Sequence, residues 1–326
     1  MTANKRASHH VGIDLGGTNV SMAVVNENNC VVSCRRSKTK KELGPDGILK
    51  KVAKNVVAVI GEAGLGLDDI LAIGIGVPSP VIIQRGIALD APNLGWRHVD
   101  VRAILEPLLG MPVWVDNDVN VAVYGEVKAG AGRGFTDVLG IWNGTGVGGG
   151  LILNGELYYG CHGTAGEIGH TVVLPGNGSS RETLEEVASR TSVVKTLVER
   201  IQEGEYSIIK ELVNGSLSAI KSKTLAKAAK SGDELTVRVL RDAAHSVGIA
   251  AANCVTTLSL SCVVLGGGLP TEMGDLWTDW VSQSVSVNVF PEELKTVKVV
   301  GTELGDNAGV IGAAIIARDC ARKRDL

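Results

Sequence analysis

The chain has 326 residues, 44% of them apolar, 21% charged and only 3% aromatic, with a formal net charge of −3. That length predicts about two domains of ~100–200 residues each. The apolar share excludes a disordered or fibrous chain, and the missing basic excess argues against a nucleic-acid partner.

The 42 glycines exceed the usual share of ~7% and fall in discrete clusters without a Gly-X-Y period. Such clusters mark turns where backbone approaches a ligand closely. Cys30, Cys34, Cys161, Cys254, Cys262 and Cys320 are scattered and read as buried, reduced thiols of a cytoplasmic protein. The opening MTANKRASHH has no apolar core, so no secretion signal is expected. Residues 247–269 carry no charge, yet helical spacing in the first half and the short run Cys262–Leu265 predict a helix followed by a buried strand. No membrane partner is expected.

In chain order, His10–Leu15, Ser21–Val25 and Val31–Arg36 read as a strand meander with a glycine turn after its first strand. Gly44–Ala63 shows helical spacing through Ile48, Val52, Val56 and Ile60. Ile70–Val77 is a strand, Val101–Leu109 a helix and Pro112–Val115 a strand that ends in Asp116-Asn117-Asp118, before a helix over Val119–Lys128. The pattern then restarts. Asp137–Trp142 is a strand, Gly144–Gly149 a glycine turn and Leu151–Asn154 a second strand. Helices fill much of 182–253, Cys262–Leu265 and Lys295–Val300 are strands, and Asn307–Arg322 is a closing helix. Two units that each open strand, glycine turn, strand predict a duplicated α/β fold with a cleft between its halves.

Asp14-Leu-Gly-Gly-Thr-Asn19 and Asn143-Gly-Thr-Gly-Val-Gly-Gly149 both set bare backbone N–H groups beside a threonine hydroxyl. That arrangement suits phosphate oxygens, although a tight hairpin without a ligand would use the same residues. Gly144, Gly146 and Gly149 satisfy G-x-G-x-x-G, but no helix follows, so a dinucleotide-binding fingerprint fails on context. Asp14 ends a strand beside the first turn. It reads as either a turn cap or a carboxylate that holds Mg²⁺ through water.

Asp116-Asn117-Asp118-Val119-Asn120 lacks the glycine and glutamate of a calcium loop, having Val121 and Val127 at those positions. It reads instead as a strand end that projects polar groups, where a carboxylate accepts a proton from a substrate hydroxyl. One of the aspartates capping the next helix is the alternative. Glu167 and His170, three apart in a segment crowded with small residues, either face a ligand or serve the structure.

Taken in order, Asp14-Leu-Gly-Gly-Thr, Gly74-Ile-Gly-Val-Pro78, Asn93-Leu-Gly-Trp96, Asn117-Asp118-Val-Asn120, Gly144–Gly150, Gly166-Glu-Ile-Gly-His170, Leu184-Glu185 with Ala188-Ser189, Leu265–Gly268 and Asn307–Ala313 resemble the ROK family of repressors and sugar kinases. The resemblance implies the actin-like/ribonuclease-H-like ATPase fold, α/β and duplicated, with two lobes around a cleft. A first lobe is expected over 1–118 with 306–326, and a second over 119–305. It further implies ATP-dependent phosphorylation of a hexose 6-hydroxyl with Mg²⁺. Asp118 matches the catalytic base. Asn117, Glu167, His170 and Glu185 match sugar-hydroxyl ligands, with Ser79 and Asn93 near the sugar. Gly16, Gly17, Thr18, Asn19, Thr145 and Gly146 match the phosphate turns, and Gly267 and Gly268 the turn beside adenosine. Asn93-Leu-Gly-Trp96 leans toward glucose among hexoses. Mannose, fructose, allose and N-acetylhexosamine kinases share most of these motifs, and polyphosphate is an alternative donor. A homodimer is the family default.

Two departures stand out. The family's zinc-binding cysteine segment is replaced by Thr171–Leu184, which has no cysteine, so no structural zinc is expected. Ser79 stands where glycine is commoner. A sugar-sensing repressor of the same family is the rival reading, and the ten residues before the first strand are too few for its DNA-binding module.

Overall fold

The structure, a computed structural model, describes residues 9–174 and 182–324. Two compact units divide the chain, Met1–Arg133 with Leu157–Ala165 and Asp306–Leu326 in one, Gly134–Glu156 with Gly166–Gly305 in the other.

The first unit opens with the antiparallel meander β1 (His9–Leu15), β2 (Asn19–Val25) and β3 (Val31–Lys38). Helix α1 (Gly44–Glu62) buries Ile48, Leu49, Val52, Val56, Val59 and Ile60, while Lys50 and Lys54 stay exposed, as the 3.6-residue spacing requires. Strand β4 (Ile70–Val77) follows. A small sheet of β5 (Val81–Ile82), β6 (Ile87–Ala91) and β7 (Trp96–Asp100) comes next. Helix α2 (Val101–Leu109) is capped at its start by the Asp100 carboxylate and ended by left-handed Gly110. Strand β8 (Val113–Asn117) then runs directly into α3 (Asp118–Ala129). The main sheet has the order β3-β2-β1-β4-β8, with β4 parallel to β1 and β8 parallel to β4.

The second unit repeats this plan. Strands β9 (Val138–Asn143), β10 (Val147–Leu153) and β11 (Glu156–Leu157) form a meander, and β12 (Val172–Leu174) pairs with β13 (Glu182–Thr183). Helices α4 (Leu184–Ala188), α5 (Arg190–Gln202), α6 (Ile209–Leu212), α7 (Ser222–Lys230) and α8 (Glu234–Leu258) precede β14 (Cys262–Gly266). Helices α9 (Gly268–Met273) and α10 (Asp275–Asn288) lead to β15 (Lys298–Gly301). The sheet order is β11-β10-β9-β14-β15, again antiparallel at the meander and parallel beyond it. The duplication expected from the glycine turns is therefore present strand for strand. No helix among the described residues is long and apolar enough to cross a membrane; α8 followed by β14 explains the uncharged stretch.

Helix α11 (Ala308–Arg324) returns to the first unit and lies directly on β1, β4 and α3. Glycine makes this possible. A Cβ on Gly12 would stand 1.7 Å from the Val310 carbonyl oxygen, and one on Gly74 1.9 Å from that of Ala313. Because α3 packs on α11, the first unit extends past residue 118 to Arg133.

Three expectations need correction. Strands β5–β7 and β11–β13 lie outside the strands that the sequence predicts, because runs of two to five residues set among turn residues show no clear period. The late strand begins at Lys298 rather than Lys295, because Glu292–Thr296 is a 3₁₀ turn. None of the six cysteines is in a disulfide, but Cys30, Cys34 and Cys161 are exposed rather than buried. Cys34 lies on β3, the sheet's edge strand, whose alternate residues face outward.

Candidate active site

In the first unit the β1–β2 turn is closed by Gly16 N–H donating to the Asn19 carbonyl at 3.0 Å. Thr39, which lies outside the glycine motifs, ties the turn down. Its hydroxyl donates to Gly16 O at 2.8 Å and its N–H to Thr18 O at 2.9 Å. The turn's carbonyls are thereby held back while Thr18 stays exposed. Asn93 lies against this turn, with its Cβ 3.2 Å from where a Cβ on Gly17 would stand. Asn93, Leu94 and Gly95 form the hairpin turn between β6 and β7, with Gly95 at φ 69°. Asp14 ends β1 under the same turn, where burial lifts its carboxyl from 3.8 to about 6, opposed by Arg36 and reinforced by Asp306. Gly309 of α11 makes room for it: a Cβ there would stand 2.9 Å from the Asp14 carboxyl carbon.

The end of β8 and the start of α3 fix the second cluster. Asn117, not an aspartate, caps α3: its Oδ1 accepts the N–H groups of Val119 and Asn120 at 2.9 and 3.0 Å. Its Nδ2 donates to Asp118 Oδ1 at 3.1 Å and to Ser79 O at 3.4 Å. Val119 N–H also reaches Asp118 Oδ1, at 2.9 Å. Asp118 is thus oriented by the helix start it belongs to. Beneath it, Asp116 is buried and accepts Tyr159 Oη at 2.6 Å, Asn117 N at 2.7 Å and Asn120 Nδ2 at 3.1 Å. Burial still raises Asp116 from 3.8 to about 6 and, with the Asp116 charge, pushes the Tyr159 phenol upward, so Tyr159 remains the donor. Ser79 is buried, with its hydroxyl donating to Pro80 O at 2.7 Å and accepting Asp90 N–H at 3.0 Å.

In the second unit the turn between β9 and β10 is held differently. Gly144 N–H is taken by Gly146 O at 2.9 Å and Val147 N–H by Glu185 Oε2 at 2.8 Å. The N–H groups of Thr145 and Gly146 remain as this turn's donors. A Cβ on Gly146 would stand 2.2 Å from Glu185 Oε2, so only glycine admits that carboxylate. The segment Gly166–His170 lies on β10, where a Cβ on Gly169 would meet Val147 O at 2.0 Å. This packing leaves Glu167 and His170 exposed, with His170 Nε2 4.0 Å from Glu167 Oε2. After β14, Gly267 (φ 88°) lies against the Asn143 backbone, and a Cβ on Gly268 would stand 3.0 Å from Ser222 Oγ.

Residues 175–181, half of the segment that stands in for the zinc cysteines, lie outside the described residues. On either side, β12 pairs with β13, and Thr183 starts α4 in a reciprocal cap with Glu186, whose Oε2 accepts Thr183 N–H at 2.9 Å. Among the described residues no three histidine, cysteine, aspartate or glutamate side chains are grouped to hold a metal ion.

The repeated five-stranded sheet with glycine turns at its first hairpin defines an actin-like/ribonuclease-H-like ATPase fold. The sequence profile of the ROK family matches residues 10–320, and the chain belongs to that family. It is 32% identical to a glucokinase of Halalkalibacterium halodurans, over 95% of this chain and 94% of that protein. It is similar, at 32% identity and a TM-score of 0.83, to the crystal structure of a ROK family glucokinase from Streptomyces griseus in complex with glucose and AMPPNP. That match covers 95% of this chain and 99% of the other. A putative xylose repressor of a Caldicellulosiruptor species is 28% identical over 96% of this chain and 78% of the repressor.

Proposed function

We propose that the protein transfers the terminal phosphoryl group of ATP to the 6-hydroxyl of a hexose, glucose first among them, with Asp118 as general base. That it is an ATP-dependent sugar kinase follows from its family and from glucokinases matched over nearly all of both chains. The observation that carries the reading furthest is the 32% identity to a glucokinase that binds glucose and AMPPNP.

Phosphoryl transfer asks mainly for positioning and charge neutralisation. In the first unit, Asp118 accepts the sugar hydroxyl's proton as its oxygen attacks phosphorus. The bonds from Asn117 and Val119 to Oδ1 hold the carboxylate in one orientation for that task. Asn117 acts through its carboxamide at the same position, while Asn93 offers an exposed amide beside Gly17. Ser79, its hydroxyl committed to backbone, shapes the pocket wall rather than gripping a sugar oxygen.

In the second unit, Glu167 and His170 present exposed groups to sugar hydroxyls, and Glu185 offers Oε1 while Oε2 stays on Val147. A hydroxyl missing from the sugar would leave these polar groups unpaired, a penalty that discriminates by on the order of 10⁴. Gly16, Gly17, Thr18, Asn19, Thr145 and Gly146 receive phosphate oxygens, and Gly267 and Gly268 admit the adenosine.

The Asp14 carboxylate beside the β1–β2 turn fits Mg²⁺ that keeps its own waters, and when bound the ion would neutralise phosphate charge. Asp118→Asn is expected to bind glucose normally while kcat falls by about 10²–10⁴. Titration of glucose and ADP-release kinetics on the variant check this, and unchanged turnover removes Asp118 from the role. The likeness to a xylose repressor favours sugar binding without catalysis as the rival, which predicts glucose binding and no ADP release from the unmodified protein.

A further inference from the structure

Arg190 opens helix α5 at the first position after its Ser189 cap. A cation there opposes the helix macrodipole, whose positive end is the N-terminus. No acidic residue in the first turn offsets it, and among the described residues no carboxylate pairs with it. The two acids closest in sequence are engaged elsewhere, Glu186 with Thr183 and Glu185 with the Val147 N–H. A local arrangement that breaks an electrostatic rule without internal compensation points to something outside the fold.

What the guanidinium does touch is the β9–β10 glycine turn. Arg190 Nη2 donates to Thr145 Oγ1 at 2.9 Å, Arg190 N–H donates to Gly144 O at 3.0 Å, and Thr191 Oγ1 donates to Thr145 O at 2.7 Å. Two carbonyls of the turn are therefore drawn back onto α5. The Thr145 oxygen accepts a charged donor, so its own proton is left to donate outward, and polarisation by the guanidinium strengthens that donation. A guanidinium has five N–H groups, of which one is used here. Thr145 is exposed, Arg190 half-exposed, and the Thr145 and Gly146 N–H groups lie on the same turn. Glu185 Oε1 is left as an acceptor beside the turn, while the guanidinium, the Thr145 hydroxyl proton and the two N–H groups are all donors.

We infer that Arg190 is a nucleotide-binding residue, holding the phosphate chain of ATP on the Thr145–Gly146 turn both directly and through the Thr145 hydroxyl. The ligand class is a polyphosphate ester, because a guanidinium, a hydroxyl proton and two backbone N–H groups on one turn match anionic phosphate oxygens. This inference rests on the kinase reading above. It adds a cation that the glycine motifs do not contain and that no sequence pattern marked.

The test measures equilibrium binding of adenosine, AMP, ADP and AMPPNP with Mg²⁺ to the unmodified protein, Arg190→Met and Arg190→Lys, with glucose affinity measured alongside. Arg190→Met is expected to bind adenosine and glucose within about twofold of the parent but ADP and AMPPNP about tenfold or more weakly, the usual worth of a hydrogen bond to a charged group. Arg190→Lys should recover part of that loss, since it returns the charge without the fork. Equal weakening of adenosine and ADP would show that α5 has merely shifted, and unchanged ADP affinity would remove Arg190 from the site; either overturns the inference. If the parent phosphorylates glucose while Arg190→Met keeps its KM for ATP, this inference falls and the kinase reading stands. If the parent binds no adenine nucleotide, both fall.

Discussion

Asp118 is held by neighbours of two kinds, a side-chain amide from Asn117 and a backbone N–H from Val119, and both exist only because β8 passes into α3 without a loop. The acid itself was legible, because a polar triplet closing an apolar run places its side chains at a strand end. Its cap was not. Asparagine and aspartate cap helices equally well, so the spacing allowed an aspartate where the structure uses Asn117. Asp116 was legible only as part of a cluster, since its partner Tyr159 lies 43 residues away in sequence. Asp14 and Asp116 give a pH prediction. Burial raises both from 3.8 to about 6, so the folded chain holds protons that the unfolded chain releases. Their contribution to stability is complete below the unfolded value and is lost as pH rises toward about 6. Denaturation midpoints measured across that window should show a shallower decline in Asp116→Asn than in the parent. Identical slopes would mean that Asp116 ionises freely in the fold.

At the scale of elements, periodicity located the long helices and the apolar strands, because each buries one regular face. Strands β5 to β7 escaped it, being two to five residues long and set among turn residues. The same stretch holds Asn93-Leu-Gly-Trp96, which the structure resolves into a hairpin turn followed by the buried start of β7. Glycine motifs were visible in the sequence, but their two uses were not separable there. Gly16 and Gly146 line turns, whereas Gly12, Gly74 and Gly312 exist to let backbones touch. A Cβ on Gly312 would stand 1.7 Å from Val121 O, a backbone atom that cannot rotate away. Gly312→Ala should therefore destabilise the protein by about 3 kcal/mol or more, at or beyond the upper end of ordinary overpacking. Gly61→Ala, on α1 with open space around it, should instead stabilise by about 0.5–1 kcal/mol through helix propensity. Thermal unfolding of the two variants decides the point, and a neutral Gly312→Ala would mean that α11 is not seated on α3 as described.

Across the whole molecule, the duplication was readable because each half begins with a strand, a glycine turn and a second strand, and both sheets carry the same strand order. Chain exchange between the halves was only partly readable. The return of the C-terminal helix was expected from the family resemblance, whereas Leu157–Ala165 joins the first unit through long-range contacts such as Tyr159 with Asp116, which no local pattern announces. This duplicated α/β chain moves phosphoryl groups to a hexose. ADP release under Mg-ATP, followed across glucose, mannose, fructose, allose, N-acetylglucosamine and N-acetylmannosamine with the product located by NMR, tests it most directly. Strong turnover with glucose and a phosphoryl group on its 6-oxygen are expected. Glucose binding with no ADP release on any of these sugars would contradict it and turn the protein into a sensor.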